Sequence, residues 1–173
     1  MAACRISLST ALTGLLLASC VNDPEEDVWS LGPGDPCPQF AVTLSDGTDV
    51  TTVSLAGQTT MIVFFDTSCP DCQQELPVVQ TVYDRLLSLG DDAADKGILC
   101  ISRAEPESSV APYWDAHALT LPYSAQPDRT VYDLFASSLV PRIYVISPAL
   151  TITHAYADAP LPSAAELSAS LGI

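Results

Sequence analysis

The sequence predicts one α/β domain, in which a mixed central β-sheet carries helices on both faces and is preceded by an N-terminal β-hairpin. Short, continuous apolar runs fit buried strands, and other segments repeat apolar residues every three or four positions, as helices do. Their order along the chain, a hairpin and then strands alternating with helices, is typical of a mixed sheet. With 173 residues, 48% of them apolar, the chain can bury one sizeable core.

The first half of this domain contains the hairpin, a buried strand and a long helix. The Asp46-Gly47 pair is a favoured two-residue turn between predicted strands at 39–44 and 49–53. The continuous apolar run at 60–65 predicts a strand that is covered on both faces. Apolar residues at helical spacing then predict a helix over 70–89.

The second half supplies the remaining strands and helices. Its apolar runs and turn residues predict strands at 97–102, 142–147 and 150–156, and helices at 106–117, 128–135 and 162–171.

The most informative motif is Cys69-Pro70-Asp71-Cys72, at the junction of the buried strand and the long helix. Unpaired backbone N–H groups and the helix dipole stabilise a thiolate at a helix start. Two cysteines separated by two residues can also close a small disulfide ring. The motif therefore predicts a redox-active dithiol in which Cys69 is the nucleophile and Cys72 resolves the mixed disulfide.

The N-terminus predicts export and lipid attachment. Residues 1–19 carry Arg5 and then a mostly apolar stretch that ends in small residues, as a signal peptide does. Leu17-Ala-Ser-Cys20 resembles the bacterial lipobox, which implies lipid modification of Cys20; an ordinary signal peptide with a chance cysteine is the alternative. Residues 20–33 then form an acidic, Pro/Gly-rich tether, and 34–173 form the folded domain.

The charge of the chain limits its partners. Six Lys and Arg against 21 Asp and Glu give a formal net charge of −15. Binding to nucleic acid needs cationic side chains, so we expect no nucleic-acid partner. Contact with a membrane would depend on the lipid on Cys20. We therefore expect the protein in the cell envelope outside the cytoplasm, either facing the periplasm or on the outer-membrane surface. Disulfides form in such compartments.

Three segments resemble the TlpA/ResA-like family of thioredoxin-fold proteins. Residues 64–77, around the dithiol, are similar to the family's active-site segment, and 34–40 are similar to its Gly-Asp-x-x-Pro-x-Phe lead-in. Residues 140–146 resemble its cis-proline loop and the strand that follows. The resemblance implies a thioredoxin-like fold and thiol–disulfide oxidoreductase activity. Ser68 stands where the family usually has tryptophan.

The resemblance also implies roles for residues near the dithiol. Pro141 should follow a cis bond, with the backbone of Val140 pairing with a substrate strand. Glu75 matches a family glutamate and, if buried beside Cys72, would have a raised pKa and carry its proton; a solvent-facing Glu75 is the alternative. The charge of Asp71 should disfavour thiolates and make the protein a reductant, unless Asp71 merely caps the helix.

We expect neither a cofactor nor a metal, because the sequence has no phosphate-binding loop and no second ligand pair for zinc. Electrons would come from a membrane or envelope thiol donor and pass to cysteine-containing client proteins. Cys37 and Cys100 are either free thiols or a second disulfide.

Three other functions stay open. A copper carrier could use Cys69, Cys72 and His154, although the copper-binding Sco family spaces its cysteines CxxxC. A peroxidase would need Pro and Thr ahead of its cysteine, where this chain has Ile62 and Asp66. A non-catalytic binding module of the envelope would not need an intact CxxC.

Overall fold

The computed structural model describes residues 28–157 and 159–173. The predicted signal peptide, the predicted lipidation site at Cys20 and residues 20–27 of the predicted tether lie outside these ranges.

The described residues form seven strands, three α-helices and three short 3-10 helices. The strands are β1 (Ala41–Thr43), β2 (Asp49–Thr51), β3 (Thr59–Phe65), β4 (Lys96–Ser102), β5 (Tyr123–Ser124), β6 (Arg142–Ile146) and β7 (Ile152–Tyr156). The α-helices are α1 (Pro70–Leu89), α2 (Glu107–Ala116) and α3 (Ala164–Leu171). The 3-10 helices are Thr52–Leu55, Gly90–Ala93 and Tyr132–Leu134. None of these helices is long and apolar enough to cross a bilayer.

Five strands form the central sheet in the order β5-β4-β3-β6-β7, and β3 is the middle strand. Strand β3 runs parallel to β4 and antiparallel to β6, so the predicted mixed sheet is confirmed. Parallel pairing of β3 with β4 requires a crossover connection, and α1 supplies it. Because β3 is the middle strand, its C-terminal end lies midway between the two edge strands, and the dithiol follows directly after it.

The predicted hairpin is a separate two-stranded sheet of β1 and β2, with Asp46-Gly47 in its turn. It is fixed to the edge of the central sheet by two hydrogen bonds. The Ser124 hydroxyl donates to the Thr43 carbonyl over 2.7 Å, and the Ser45 amide donates to the Tyr123 carbonyl over 2.9 Å.

Two neighbouring aromatic residues at the end of β3 organise the core on its two faces. Phe64 packs against the rings of Tyr132 and Phe135, whereas Phe65 packs against Trp114 of α2. Successive strand residues point to opposite faces of a sheet, so both faces of β3 are covered, as its apolar run predicts.

Two elements differ from the sequence prediction. Strand β5 was not predicted, because two residues are too few to show a period. The helix predicted over 128–135 is wrong, since only Tyr132–Leu134 form a 3-10 turn. The carboxylate of Asp128 accepts a 2.8 Å hydrogen bond from the Thr130 amide, a local turn that competes with helix formation.

The segment Trp29–Leu31, which falls within the predicted tether, pairs with the folded domain. Ser30 forms an antiparallel bridge with Ala136, and the Leu31 amide donates to the Phe135 carbonyl over 2.9 Å. This segment therefore lies beside the chain that leads to Pro141.

Candidate active site

The dithiol lies where β3 ends and α1 begins. Cys69 is the N-cap residue of α1, its carbonyl accepts the first helical hydrogen bond from Gln73 over 3.0 Å, and Pro70 occupies the first helical position. Proline is favoured there because its fixed φ suits the helix and its missing N–H would have no partner. The sequence thus places Cys69 at a helix start, as predicted.

The two thiols have different surroundings. Both are free, but Cys69 is partly exposed whereas Cys72 is completely buried. Burial raises the pKa of Cys72 far above its usual range, and a backbone hydrogen bond from Asp66 opposes this rise only in part. Cys69 is therefore the sulfur that a disulfide outside the protein can reach, and Cys72 is held as a protonated thiol.

The loop that carries Val140 and Pro141 faces Cys69. The Val140–Pro141 bond is cis, as the resemblance implied. Both residues are buried, and the Cys69 thiol donates a hydrogen bond to the Val140 carbonyl over 3.3 Å. The structure thus brings together residues that lie 71 positions apart in the sequence.

Glu75 lies one turn after Cys72 in α1 and is 1% exposed. Burial raises its pKa from 4.5 to about 7. Among the described residues, its Oε1 atom has no hydrogen-bond partner. Glu75 is therefore buried, as a role beside the dithiol requires, and it does not face solvent.

Asp71 occupies the first turn of α1 and remains partly exposed. An acidic side chain in the first turn of a helix interacts favourably with the helix dipole. This position is compatible with both roles considered for Asp71, a helix-stabilising residue and a charge that disfavours thiolates.

The loop between β3 and the dithiol contains a residue pair whose contacts the sequence did not reveal. Asp66 accepts hydrogen bonds from the amide and hydroxyl of Ser68, over 2.9 and 2.6 Å, and its other oxygen lies 3.4 Å from the Arg103 guanidinium. Thr67 donates two 2.6 Å hydrogen bonds to Glu105. The one signal in the sequence for this loop is Asp66, an acidic residue directly after a buried strand.

The other cysteines and histidines of the described residues do not join the dithiol. Cys37 and Cys100 are both buried free thiols, and burial raises the pKa of Cys37 to about 11. His154 is exposed on β7, where its ring stacks on Tyr156. Within residues 28–157 and 159–173, no three His, Cys, Asp or Glu side chains cluster as metal ligands would.

The class of protein follows from the surroundings of the dithiol: it is a thiol–disulfide oxidoreductase with a thioredoxin-like fold. The chain belongs to the AhpC/TSA family, whose family model matches residues 33–155.

Among its relatives, the thiol-disulfide oxidoreductase ResA of Oceanobacillus iheyensis is 27% identical over 148 residues, which cover 83% of this chain and 74% of that protein. A thioredoxin-family thiol:disulfide interchange protein from Chlorobium tepidum superposes with a TM-score of 0.66 at 20% identity, covering 82% of this chain and 97% of the other. StoA from Bacillus subtilis gives 0.65 at 19% identity, covering 80% and 98%. These similarities confirm the predicted fold and the resemblance to ResA-like proteins.

Proposed function

We propose that this protein is a lipid-anchored reductant of protein disulfides that acts outside the cytoplasm. The observation that carries the proposal is the contrast between the accessible Cys69 and the buried Cys72. A dithiol with one exposed and one buried sulfur performs two successive exchanges in a fixed order.

In the first exchange, the thiolate of Cys69 attacks one sulfur of a client disulfide. A new S–S bond joins Cys69 to the client, the client S–S bond breaks, and the released client thiolate takes up a proton. In the second exchange, Cys72 loses its proton and attacks the Cys69 sulfur. The second client thiol leaves, the client has gained two electrons, and a Cys69–Cys72 disulfide remains. A membrane or envelope thiol donor then reduces it.

Glu75 is proposed as the group that accepts the Cys72 proton during the second exchange. A carboxyl group with a pKa of about 7 is partly ionised near neutral pH, so it can both take and release a proton there. Its position one turn after Cys72 supports a direct or water-mediated transfer. Direct loss of the proton to bulk water is the competing route, and complete burial of Cys72 makes it slow.

Val140 is proposed as the main-chain docking point for clients. In the reduced protein its carbonyl accepts the Cys69 S–H, but a mixed disulfide has no S–H at Cys69. An N–H group of the client main chain can then take the place of the lost donor. Extended peptides that add to an exposed backbone edge gain affinity in this way.

The reducing direction is supported by the cost of forming thiolates at this site. Oxidants of this type have a strongly stabilised thiolate, which stabilises their reduced form. Here the pKa of Cys72 is raised by burial, and Asp71 adds a negative charge to the same helical turn. Neither effect stabilises a thiolate, so the reduced form lacks the extra stability that makes proteins of this type oxidants.

The order of attack is tested by cysteine substitution. We expect Cys69→Ala to abolish reduction of a peptide disulfide, and Cys72→Ala to accumulate a mixed disulfide between Cys69 and the peptide, detectable by mass spectrometry. Cys100→Ala is the matched control, since Cys100 is also buried but lies in β4. Equal loss of activity in both variants without any trapped adduct would contradict this order.

The lipid anchor is tested separately, by mass spectrometry of the mature N-terminus. We expect acylated Cys20 as the first residue, because Leu17-Ala-Ser precedes it. A different, unmodified first residue would remove the anchor from the proposal and leave the redox chemistry in place.

A further inference from the structure

The loop that leads into the docking point is held from inside by side chains. The carbonyls of residues 137, 138 and 139 accept hydrogen bonds from Arg129, Arg142 and Tyr132, respectively. The Arg129 bond is 2.6 Å long, and the Nε and Nη2 atoms of Arg142 lie 3.3 and 3.2 Å from their shared carbonyl. Three consecutive carbonyls are therefore fixed by three different side chains, which we call the brace.

This arrangement is not that of a strand. Successive carbonyls of an extended strand point in opposite directions, so one cluster cannot bind three in a row unless the backbone bends. Leu139 provides the bend with a φ of 69°, a left-handed conformation that side chains other than glycine rarely adopt. The brace holds this bend immediately before Val140.

The brace contains two of the few cationic side chains in this protein, Arg129 and Arg142. The chain has only six lysines and arginines against 21 acidic residues, yet several arginines surround one ring. The guanidinium of Arg129 lies 5.0 Å from the Tyr132 ring centre, and that of Arg103 lies 5.9 Å from it. Burial raises the pKa of Tyr132, and Arg142 opposes this rise through its charge and a hydrogen bond to the hydroxyl.

The outer side of the same loop is held as well. The amide of Trp29 donates to the Ser137 hydroxyl over 2.9 Å, and the Ser137 amide donates back to the Trp29 carbonyl over 2.9 Å. The loop thus lies between the segment Trp29–Leu31 and the brace. Its conformation is determined by contacts far apart in the sequence, not by the loop residues alone.

We propose that Arg129, Tyr132 and Arg142 are positioning residues that hold the Val140 carbonyl towards Cys69 and so determine affinity for client main chains. The inference rests on the proposed docking of clients at Val140. The brace touches neither sulfur of the dithiol and acts only through the loop. It therefore affects the binding of extended peptides and leaves the reactivity of the dithiol unchanged.

The test compares two uncharged disulfides on the full chain. One is the symmetric disulfide of a capped Gly-Ala-Cys-Ala-Gly peptide, which can pair along its main chain, and the other is 2,2′-dithiodipyridine, which cannot. Single turnovers are measured, in which the reduced protein itself supplies both electrons and KM is the half-saturating disulfide concentration. We expect Arg142→Gln to raise the KM for the peptide at least fivefold, while its limiting rate and the rate with dithiodipyridine stay within twofold of the unmodified protein. Arg142→Lys, which keeps the charge and can still donate to the carbonyl but lacks the planar fork of arginine, should recover part of the lost affinity.

Arg85→Gln is the matched control, because Arg85 is exposed on α1 and the charge change is the same. Arg129→Gln serves as a second brace variant, since the Arg129 side chain is 40% exposed and its loss threatens folding less. If both brace variants match Arg85→Gln in KM, or if both substrates are slowed equally, the positioning role is overturned.

A peptide methylated on the backbone nitrogens that flank its cysteine separates this proposal from the one on which it rests. If the unmodified protein treats the methylated and plain peptides alike, docking at Val140 is wrong, and the positioning role falls with it. If it prefers the plain peptide while Arg142→Gln leaves that preference unchanged, docking stands and the brace alone is refuted.

Discussion

The two sides of the dithiol are built in opposite ways. On the Cys69 side, the carbonyls of residues 137–140 all have hydrogen-bond donors. On the Cys72 side, the thiol is buried, and the carboxyl of Glu75, one turn further along α1, is also buried and has an oxygen without a partner among the described residues. Polar groups that all have partners fix a geometry, whereas burial raises the pKa of the Glu75 carboxyl to about 7, where its protonated and ionised forms are both populated near neutral pH. One side is thus suited to holding a client and the other to moving a proton.

The largest expected difference between the two sides is in thiol reactivity. We expect iodoacetamide to modify Cys69 on the order of a thousandfold faster than Cys72 in the reduced native protein, because alkylation needs both exposure and a thiolate. The two rates should converge in urea, where burial is lost. Peptide mapping after timed quenching measures both rates, and similar native rates would break the comparison.

A second prediction concerns the cost of burying Glu75. Between pH 4.5 and about 7, the folded protein binds a proton at Glu75 that the unfolded chain has already lost, so the stability contributed by this residue falls as the pH rises. Relative to Glu75→Gln, the free energy of unfolding should therefore drop by about 3 kcal/mol from pH 4 to pH 8.

Urea unfolding of both proteins across this pH range provides the measurement. Asp84→Asn is the control, since Asp84 is an exposed carboxylate on the same helix. A pH-independent difference between the unmodified protein and Glu75→Gln would show that the carboxyl keeps its ordinary pKa.

A third, smaller effect links Glu75 to Cys72. Ionised Glu75 repels a thiolate at Cys72, and glutamine does not, so Glu75→Gln should lower the Cys72 pKa by about one unit, or about 1.4 kcal/mol. Thiolate absorbance against pH follows the Cys72 titration when Cys69, Cys37 and Cys100, the other free thiols of the described residues, are all replaced by alanine in the background. Superimposable curves would mean that the two groups do not interact and that the proton leaves by another route.

The smallest expected effect lies in the loop between β3 and the dithiol. Arg103 and Asp66 form a partly exposed ion pair at 3.4 Å, with side chains 26% and 18% exposed. Such pairs contribute about 1 kcal/mol or less and weaken with salt. A double-mutant cycle of Arg103→Gln and Asp66→Asn, measured at low and high salt, should give a coupling free energy in that range. A larger coupling free energy that does not change with salt would show that this pair behaves as a buried ion pair.

The sequence predicts the parts of this site that depend on local patterns. Strands β3 and β4 were predicted to within one residue at each end, because buried parallel strands are continuous apolar runs. The helix over 70–89 was predicted from the end of the apolar run and from the apolar residues at helical spacing that follow it. The position of Glu75 on the Cys72 face followed from helical spacing.

The parts that were missed depend on contacts between distant segments. Nothing local distinguishes Arg142 from any other arginine at the start of a strand, and its contact with the Ser138 carbonyl requires the bend at Leu139. Trp29–Leu31 follow a stretch rich in acidic residues and precede glycine and proline, which predicts a tether, yet they pair with residues more than a hundred positions away. Tertiary contacts override local preference at both places.

The hydrogen bond from Cys69 to Val140 has a thermodynamic consequence. This bond exists only while Cys69 carries a proton, so the disulfide form offers a carbonyl that the dithiol form already occupies. Client main chains docked at that carbonyl, as proposed, bind the disulfide form more tightly than the dithiol form. Linkage is reciprocal, so a bound chain then stabilises the oxidised protein by the same factor. An attached client would thereby make its own reductant more reducing, and reduction of the protein by its thiol donor would help to expel the product.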